Sequence, residues 1–332
     1  MSYSKVFTTG SSGFIGGHVA EAFLNAGYQV NCLIRNPVKA MFLKNLGANL
    51  VKGDLNDFDM WKDLLKDCDI IIHAAAIRGE RFIGWEKYYR VNVLATVKLL
   101  EIALKYNIPR FIFISSVGVL GTSPKQLPAN EETVYNPDCD YHRSKMLAEQ
   151  AILRVSSRGE ADTKVTIFRP TITYGPRDTG FLYNILKYAK IGIFPIIGDG
   201  NNIVHLLYIN GLTQAVLKDV QSNRKKRVSI YNIADKEPIM YHDLFPVIRD
   251  VLCRPIRVVK IPRLPFLLAT KFHDYVLAPL YQGKSMMMSS KIASLSWYYD
   301  INKAIKELSY EPYETITAVR ETIRWYQENR TL

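Results

Sequence analysis

The sequence predicts an α/β protein: a doubly wound parallel sheet with a smaller, mainly helical C-terminal substrate domain. Three observations carry this. Apolar runs without alternation, such as Ile70-Ile71-Ile72, are separated by helical patterns throughout the first half, as expected of strands buried on both faces. A glycine cluster, Gly10-Ser-Ser-Gly13-Phe-Ile-Gly16, stands between the first strand and the first helix. From Pro170 to Gly200 proline, glycine and aromatic residues become more frequent, and the strand–helix alternation lapses.

The elements follow in order. Lys5 to Thr9 reads as a strand and Phe14 to Ala26 as a helix. Gln29 to Ile34, rich in branched residues, is a second strand, and Asn49 to Lys52 a short third. Trp61 to Leu65 reads as helical and Ile70 to Ile72 as the fourth strand. Val91 to Tyr106 is a long helical pattern before the strand Arg110 to Ile114. Tyr141 to Ser156 is helical again, and Val165 to Phe168 is a strand. Right-handed crossovers make this series a doubly wound Rossmann sheet. Val228 to Ile233 reads as one more buried strand that returns to it, and beyond Asp235 the chain reads as helical and irregular. The expected division is a dinucleotide-binding unit of residues 1–175 plus 203–234 and a substrate unit of 176–202 plus 235–332.

Composition narrows the function. Of 332 residues, 48% are hydrophobic and 22% charged, ordinary globular values that exclude a disordered or collagen-like chain. Lys and Arg outnumber Asp and Glu by 43 to 31, which suits an anionic partner such as a phosphorylated small molecule. Cys32, Cys68, Cys139 and Cys253 form no CxxC pair, so a reduced, cytoplasmic protein without structural zinc is expected. The start, MSYSKVFTTG, runs straight into a strand, so no signal peptide is expected. The nearest approach to a membrane span, Leu264 to Tyr281, is interrupted by Lys271, His273 and Asp274. Nucleic-acid binding is not expected, because the basic residues are scattered and lack aromatic interleaving.

The strongest local signal is the glycine cluster. Gly10 permits a tight turn, Gly13 lets backbone approach a pyrophosphate, and Gly16 lets helix pack on strand. The helix opening at Phe14 and Ile15 then offers free N–H groups and a positive dipole to the phosphates. At the end of the second strand an acid would bind a ribose 2′-hydroxyl. This chain has Leu33-Ile34-Arg35-Asn36-Pro37 instead. Arg35 is either a surface arginine or a partner for a 2′-phosphate, and the reading leans to NADP, with NAD possible. Asp54-Leu55 follows the third strand; Asp54 either accepts from the adenine amino group or caps a helix. His73 reads as structural, whereas Ala74, Ala75 and Ala76 are small enough for a flat cofactor to lie against.

The second signal is Tyr141-His-Arg-Ser-Lys145. Tyrosine and lysine four apart share a helix face, and a nearby ammonium favours phenolate. Tyr141 could then exchange a proton with a substrate hydroxyl near neutral pH, and Lys145 could also hold the nicotinamide ribose. Ser116 ends the preceding strand, where a hydroxyl could orient the substrate oxygen. Asn92 lies in a helical stretch and by itself reads as structural.

These motifs in this order resemble the extended short-chain dehydrogenase/reductase family, in its epimerase/dehydratase branch. The carriers are TTGSSGFIGGHV (8–19), GDL (53–55), HAAA (73–76), YRVNVLAT (89–96), FISSVGVLG (113–121), YHRSK (141–145) and FRPTITYGP (168–176), with HLLYING (205–211) and YDINKAIKEL (299–308) further on. The resemblance implies hydride transfer between C4 of a nicotinamide and a carbinol carbon. It makes Tyr141 the proton carrier, Lys145 its helper and Ser116 the hydroxyl member, and it places Asn92, Pro170 and Ile172 among the cofactor contacts. The segment around Arg35 is similar to the dihydroflavonol-type reductases. Ala95 stands where the family usually has glycine, and Asn210-Gly211 stands where many members have an Asp pair, which puts the local helix start in doubt. Val117-Gly118 replaces the acid pair that the dehydratases carry, which argues against a 4,6-dehydratase.

The leading expectation is an NADPH-dependent carbonyl reductase or alcohol dehydrogenase, with the apolar segment 262–281 either covering a hydrophobic substrate or packing between domains. The alternative is a nucleotide-sugar epimerase with tightly bound NAD, its diphosphate held by Arg177 and other cations. A non-catalytic NADP-sensing regulator is the minor alternative. A homodimer is expected from the resemblance.

Overall fold

A computed structural model of the protein describes residues 5–78, 83–158, 162–277 and 286–329. Of the segments read from sequence, residues 1–4 of the N-terminal stretch and 278–281 of the apolar segment lie outside the described residues. In chain order the first half comprises β1 (Lys5–Thr9), α1 (Phe14–Asn25), β2 (Gln29–Ile34), α2 (Met41–Asn45), β3 (Asn49–Lys52), β4 (Ile70–His73), α3 (Trp85–Tyr88), α4 (Ala95–Lys105), β5 (Arg110–Ile114), α5 (Asp140–Arg158) and β6 (Lys164–Pro170). Then come β7 (Ile172–Tyr174), α6 (Phe181–Lys190), β8 (Ile193–Ile197), β9 (Ile203–Val204), β10 (Leu206–Tyr208), α7 (Ile209–Gln221), β11 (Val228–Ile233), β12 (Ile239–Met240), α8 (Leu244–Leu252), β13 (Arg257–Ile261) and α9 (Arg263–Phe272). The chain closes with the helices Met287–Ser294, Asn302–Leu308 and Thr315–Glu328.

Seven parallel strands form the main sheet in the order β11-β6-β5-β4-β1-β2-β3. The direction of winding reverses between β1 and β4, and the crevice beyond their carboxyl ends is where such sheets bind ligands. Successive side chains of a strand point to opposite faces, and here each face meets its own core. Val6, Ile70, Ile72, Ile112 and Ile114 pack on one side with α1 and α7. Phe7, Ile71, Phe111, Phe113 and Ile167 pack on the other with α4 and α5. This is why the strands read as unbroken apolar runs. A fully buried side chain such as Phe23 of α1 contributes about 1.5–3 kcal/mol.

The structure differs from the sequence reading in three places. Trp61 to Leu65 is not an α-helix: 3-10 turns run over Phe58–Met60 and Lys62–Leu65, anchored by Trp61, whose indole N–H donates to the Asp54 carbonyl at 2.9 Å. The long helical pattern from Val91 begins as a π-helical turn, Tyr89–Leu94, before α4. The second half also holds three two-stranded ladders, β10 with β7, β12 with β9 and β13 with β8. Their partners are far apart in sequence, as with Arg257 opposite Ile193, so no local pattern announces them. The helix start at Asn210-Gly211 is intact: α7 opens at Ile209, and a Cβ on Gly211 would meet the Tyr310 hydroxyl at 2.7 Å.

Candidate active site

The site begins at the end of β1. Gly10 has φ +78°, and a Cβ there would lie 2.6 Å from the Ala75 nitrogen, so the loop presses bare backbone against the alanines after β4. A Cβ on Gly16 would lie 2.4 Å from the Gly10 carbonyl oxygen, and the Gly13 N–H donates to that oxygen at 2.9 Å. Gly13 is the N-cap of α1, with no side-chain cap and no acid in the first turn. The first N–H groups are therefore left for an anion. A cradle that any Cβ would fill, at an uncapped helix start, fits a dinucleotide pyrophosphate.

Around this loop the sequence-derived contacts sort into two groups. Arg35 is exposed just beyond β2, and Leu55 is buried beyond β3. Asp54 Oδ1 accepts from the Asn56 backbone N–H at 2.9 Å and from its side-chain amide at 2.8 Å. These bonds, with Arg35 and Arg90 nearby, hold its carboxyl below the usual range. Ala74 and Ala75 are half-buried against Gly10, and Ala76 is exposed. His73 is structural, as its sequence context suggests. Its Nδ1 pairs with the Thr9 hydroxyl at 2.7 Å and its Nε2 with the Thr96 hydroxyl at 2.8 Å, and burial pulls its pKa down to about 3. Asn92 is fully engaged by protein. Its Oδ1 accepts from the Ile77 N–H at 2.8 Å, and its Nδ2 donates to the Ile77 carbonyl and the Ser144 hydroxyl, each at 2.9 Å. Asn92 thus clamps the chain after β4 to α5.

The reacting groups come from the end of β5 and the start of α5. Ser116 caps the 3-10 turn Val117–Leu120, its Oγ accepting from the Gly118 N–H at 3.1 Å. Its own hydroxyl proton is left to donate outward. Ser115 instead turns inward and donates to Glu149 Oε1 at 2.5 Å. Glu149 is completely buried and forms an ion pair with Arg169 at 2.6 Å, so the floor beneath Ser116 is fixed by a charged network.

Tyr141 and Lys145 both lie on α5, four residues apart. The Lys145 ammonium donates to the Ile114 carbonyl at 2.7 Å and lies 4.4 Å from the Phe113 ring centroid. Burial pulls its pKa down to about 7, with Glu149 opposing. Tyr141 is half-buried, and its phenol is raised above the ordinary value by burial; the cation that works against this is Arg78. The expected lowering of Tyr141 by Lys145 is thus absent from the protein alone, because the ammonium points at backbone.

Phe14, Ile15, Ser116, Tyr141, Pro170 and Ile172 line a single cavity of ≈ 170 Å³. The far wall is Ile292, Trp297 and Tyr299, from the last third of the chain. None of the described residues of the apolar segment 262–281 lines it. The sequence reading passed over Arg78 and His142, the two charged lining residues. His142 Nδ1 bonds Asp138 Oδ1 at 2.8 Å. Burial opposes protonation, but the Asp138 carboxylate together with Cys139 prevails and the imidazole is pushed up to about 9. A Cβ on Gly118 would lie 2.1 Å from His142 Nε2, so only a glycine in the turn makes room for this ring. Asp138 also takes Lys291 at 3.1 Å. Donor atoms of Asp138, Cys139 and His142 lie within 4.8 Å of one another, but both Asp138 oxygens already bind cations, which makes this an ion-pair cluster. The i, i+4 spacing of Asp138 and His142 was the signal available in the sequence. Arg177 does not face the cavity: it forms an ion pair with Glu21 of α1 and lies over the Phe42 ring.

The chain resembles known proteins along most of its length. A sterol-4-alpha-carboxylate 3-dehydrogenase (decarboxylating) of Dictyostelium discoideum is 28% identical over 73% of this chain and 74% of that protein. An N-acetyl-alpha-D-glucosaminyl-diphospho-ditrans,octacis-undecaprenol 4-epimerase of Escherichia coli is 27% identical over 78% of this chain and 75% of that protein. The fold matches that of UDP-glucuronic acid 4-epimerase from Bacillus cereus, solved with NAD, at a TM-score of 0.79 and 20% identity over 98% of this chain and 99% of the other. Residues 6–234, which hold the glycine loop, Ser116, Tyr141 and Lys145, match the family model for NAD dependent epimerases and dehydratases. The chain belongs to the NAD dependent epimerase/dehydratase family, among the extended short-chain dehydrogenases/reductases, and is an NAD(P)-dependent oxidoreductase or epimerase.

Proposed function

We propose that the protein is an NADPH-preferring carbonyl reductase or secondary-alcohol dehydrogenase. The observation that carries this reading is the shared cavity, in which Ser116 and Tyr141 face Phe14 and Ile15 at the uncapped start of α1. Gly10, Gly13, Phe14, Ile15 and Gly16 would hold the cofactor's pyrophosphate, with Ala74 to Ala76 beside it. Asp54 and Leu55 would meet its adenine, Arg35 its 2′-phosphate, and Pro170 and Ile172 its nicotinamide. The cofactor, when bound, supplies or accepts the hydride. Ser116 would orient the substrate oxygen by donating a hydrogen bond from its hydroxyl, keeping its own proton. Tyr141 moves the proton that turns carbonyl into alcohol, or takes it in the reverse direction. Lys145, bonded to the Ile114 carbonyl, would hold the nicotinamide ribose.

The preference for NADPH rests on Arg35 and on the absence of an acid at the end of β2. The preference for a reductase rests on the apolar and aromatic far wall and on Arg177 being paired with Glu21. The substrate unit is residues 176–202 with 235–332, which supply that wall. We further infer a cytoplasmic homodimer joined through α5 and the turn Tyr89–Leu94 with α4, whose surfaces leave Leu94 and Leu153 exposed.

The second reading is a nucleotide-sugar epimerase that retains NAD. Arg78 and His142 favour it, because two cations in the cavity wall suit an anionic substrate. Denaturing the purified protein and identifying the released nicotinamide separates the two. Near-stoichiometric NAD overturns the reductase reading. Empty protein that binds NADPH more tightly than NADH, and oxidises it with a panel of carbonyl compounds, supports it.

A further inference from the structure

The apolar segment that does not line the cavity has an exposed face of its own. On α9, Leu264, Leu268 and Phe272 recur at i, i+4 and i+8 and are 69%, 59% and 58% exposed. Residues four apart lie on one side of a helix, so these three form a stripe. The π-helical turn His273–Leu277 continues it with Tyr275 at 69% exposed, and Val258 and Val259 on β13, just before α9, are exposed as well. The opposite side of α9 is the one that packs: Thr270 is buried and meets the Ser290 hydroxyl at 3.2 Å. A surface helix of a globular protein normally turns its apolar stripe inward; α9 turns much of its apolar surface outward, and large exposed apolar patches mark interaction surfaces.

Charge selects the occupant. Between residues 254 and 277 the chain carries Arg254, Arg257, Lys260, Arg263 and Lys271, all exposed. The single acid there, Asp274, is buried and bonded to His273 and to the Met286 N–H. A second copy docked by two-fold symmetry would present the same patch to itself and bring like charges together. An anionic bilayer supplies both things the face lacks, a medium for the leucines and phenylalanine and counter-charge for the cations. We propose that α9, with the turn after it and β13, docks the enzyme flat on an anionic lipid surface as a peripheral protein. Among the described residues no helix is long and apolar enough to cross a membrane, so the contact is interfacial. It places the cavity close to the lipid, because the helix Met287–Ser294 that α9 packs on carries Ile292 of the cavity wall. The docking holds whichever reaction the site performs.

The test is co-sedimentation of the full-length protein with vesicles of phosphatidylcholine alone or mixed equally with phosphatidylglycerol. Binding is expected to the mixed vesicles only, and to weaken as salt is raised. The triple variant Leu264→Ser, Leu268→Ser, Phe272→Ser should bind at least about tenfold more weakly, with an unchanged circular dichroism spectrum and oligomeric state. A second variant, Lys260→Glu with Arg263→Glu and Lys271→Glu, should lose the preference for anionic vesicles while keeping its fold. Wild-type protein that stays in the supernatant with the mixed vesicles overturns the proposal. So does a triple-serine variant that binds as well as wild type, or one that turns a dimer into a monomer, which would make the face a contact between copies.

Discussion

The ammonium of Lys145 donates to the carbonyl of Ile114 at 2.7 Å, tying the second turn of α5 to the end of β5 immediately before Ser115 and Ser116. The lysine thus has a structural partner as well as a chemical role, and burial pulls it down to about 7. An unfolded lysine titrates near 10.5, so between about pH 7 and 10.5 the unfolded chain binds more protons than the native one. Stability from this group therefore rises with pH across that window. Lys145→Met should cost at least about 100-fold in kcat. Relative to wild type its Tm should be higher at pH 6, where wild type buries a charge, than at pH 9. A variant whose relative Tm does not depend on pH would show that Lys145 is charged equally in both states.

Tyr141→Phe should remove the proton carrier and leave the walls of the cavity in place. General acid–base catalysis contributes about 10²–10⁴-fold, and kcat should fall by that amount. Cofactor affinity, read by fluorescence titration, should stay within about twofold of wild type because the phosphate loop is untouched. Activity near the wild-type level would remove Tyr141 from the mechanism.

Arg35→Asp should reverse the cofactor preference. A charge-assisted hydrogen bond contributes about 1.5–3 kcal/mol, so the ratio of NADPH to NADH affinity should fall by about 10–100-fold, and further from repulsion of the 2′-phosphate by the new carboxylate. Binding measured for both cofactors on both proteins decides it. An unchanged ratio would release Arg35 from this assignment.

Much of this was legible in the chain, for a physical reason. β1, β2, β3, β5 and β11 occupy the same residues in the sequence reading and in the structure; for β1, β2 and β5, strands buried on both faces carry their signal in consecutive residues. The glycine loop was legible too, since Gly10 and Gly16 leave no room for a Cβ. What stayed hidden depends on distant partners. Ile114 lies 31 positions before Lys145, so nothing local says where the ammonium points. The state of His142 depends on a carboxylate that is near in sequence, but its place in the cavity depends on Gly118, a neighbour only in the fold. The edge ladder of β13 with β8 pairs segments some sixty residues apart.

Asp138→Asn tests the charge of His142 directly. In wild type the imidazole titrates at about 9, against about 6.5 unfolded. A raised pKa means that the native state holds the proton more tightly. The stabilisation is therefore complete below pH 6.5, and it disappears as the pH rises through 9. Lys291, Cys139 and Tyr141 remain in place in both proteins. Lys145, Asp178 and Asp235, which also titrate with shifted values, contribute equally to both and cancel in the difference. The gap in unfolding free energy between wild type and variant, from urea melts, should be on the order of 3 kcal/mol near pH 6. It should close steadily between pH 6.5 and 9. Nuclear magnetic resonance titration of the same histidine should show its pKa dropping by about two units or more in the variant, because burial then acts without an opposing carboxylate. A gap that keeps its size through pH 9 would mean that His142 is neutral in the wall of the cavity, and that Arg78 is the only cation a substrate meets among the described lining residues.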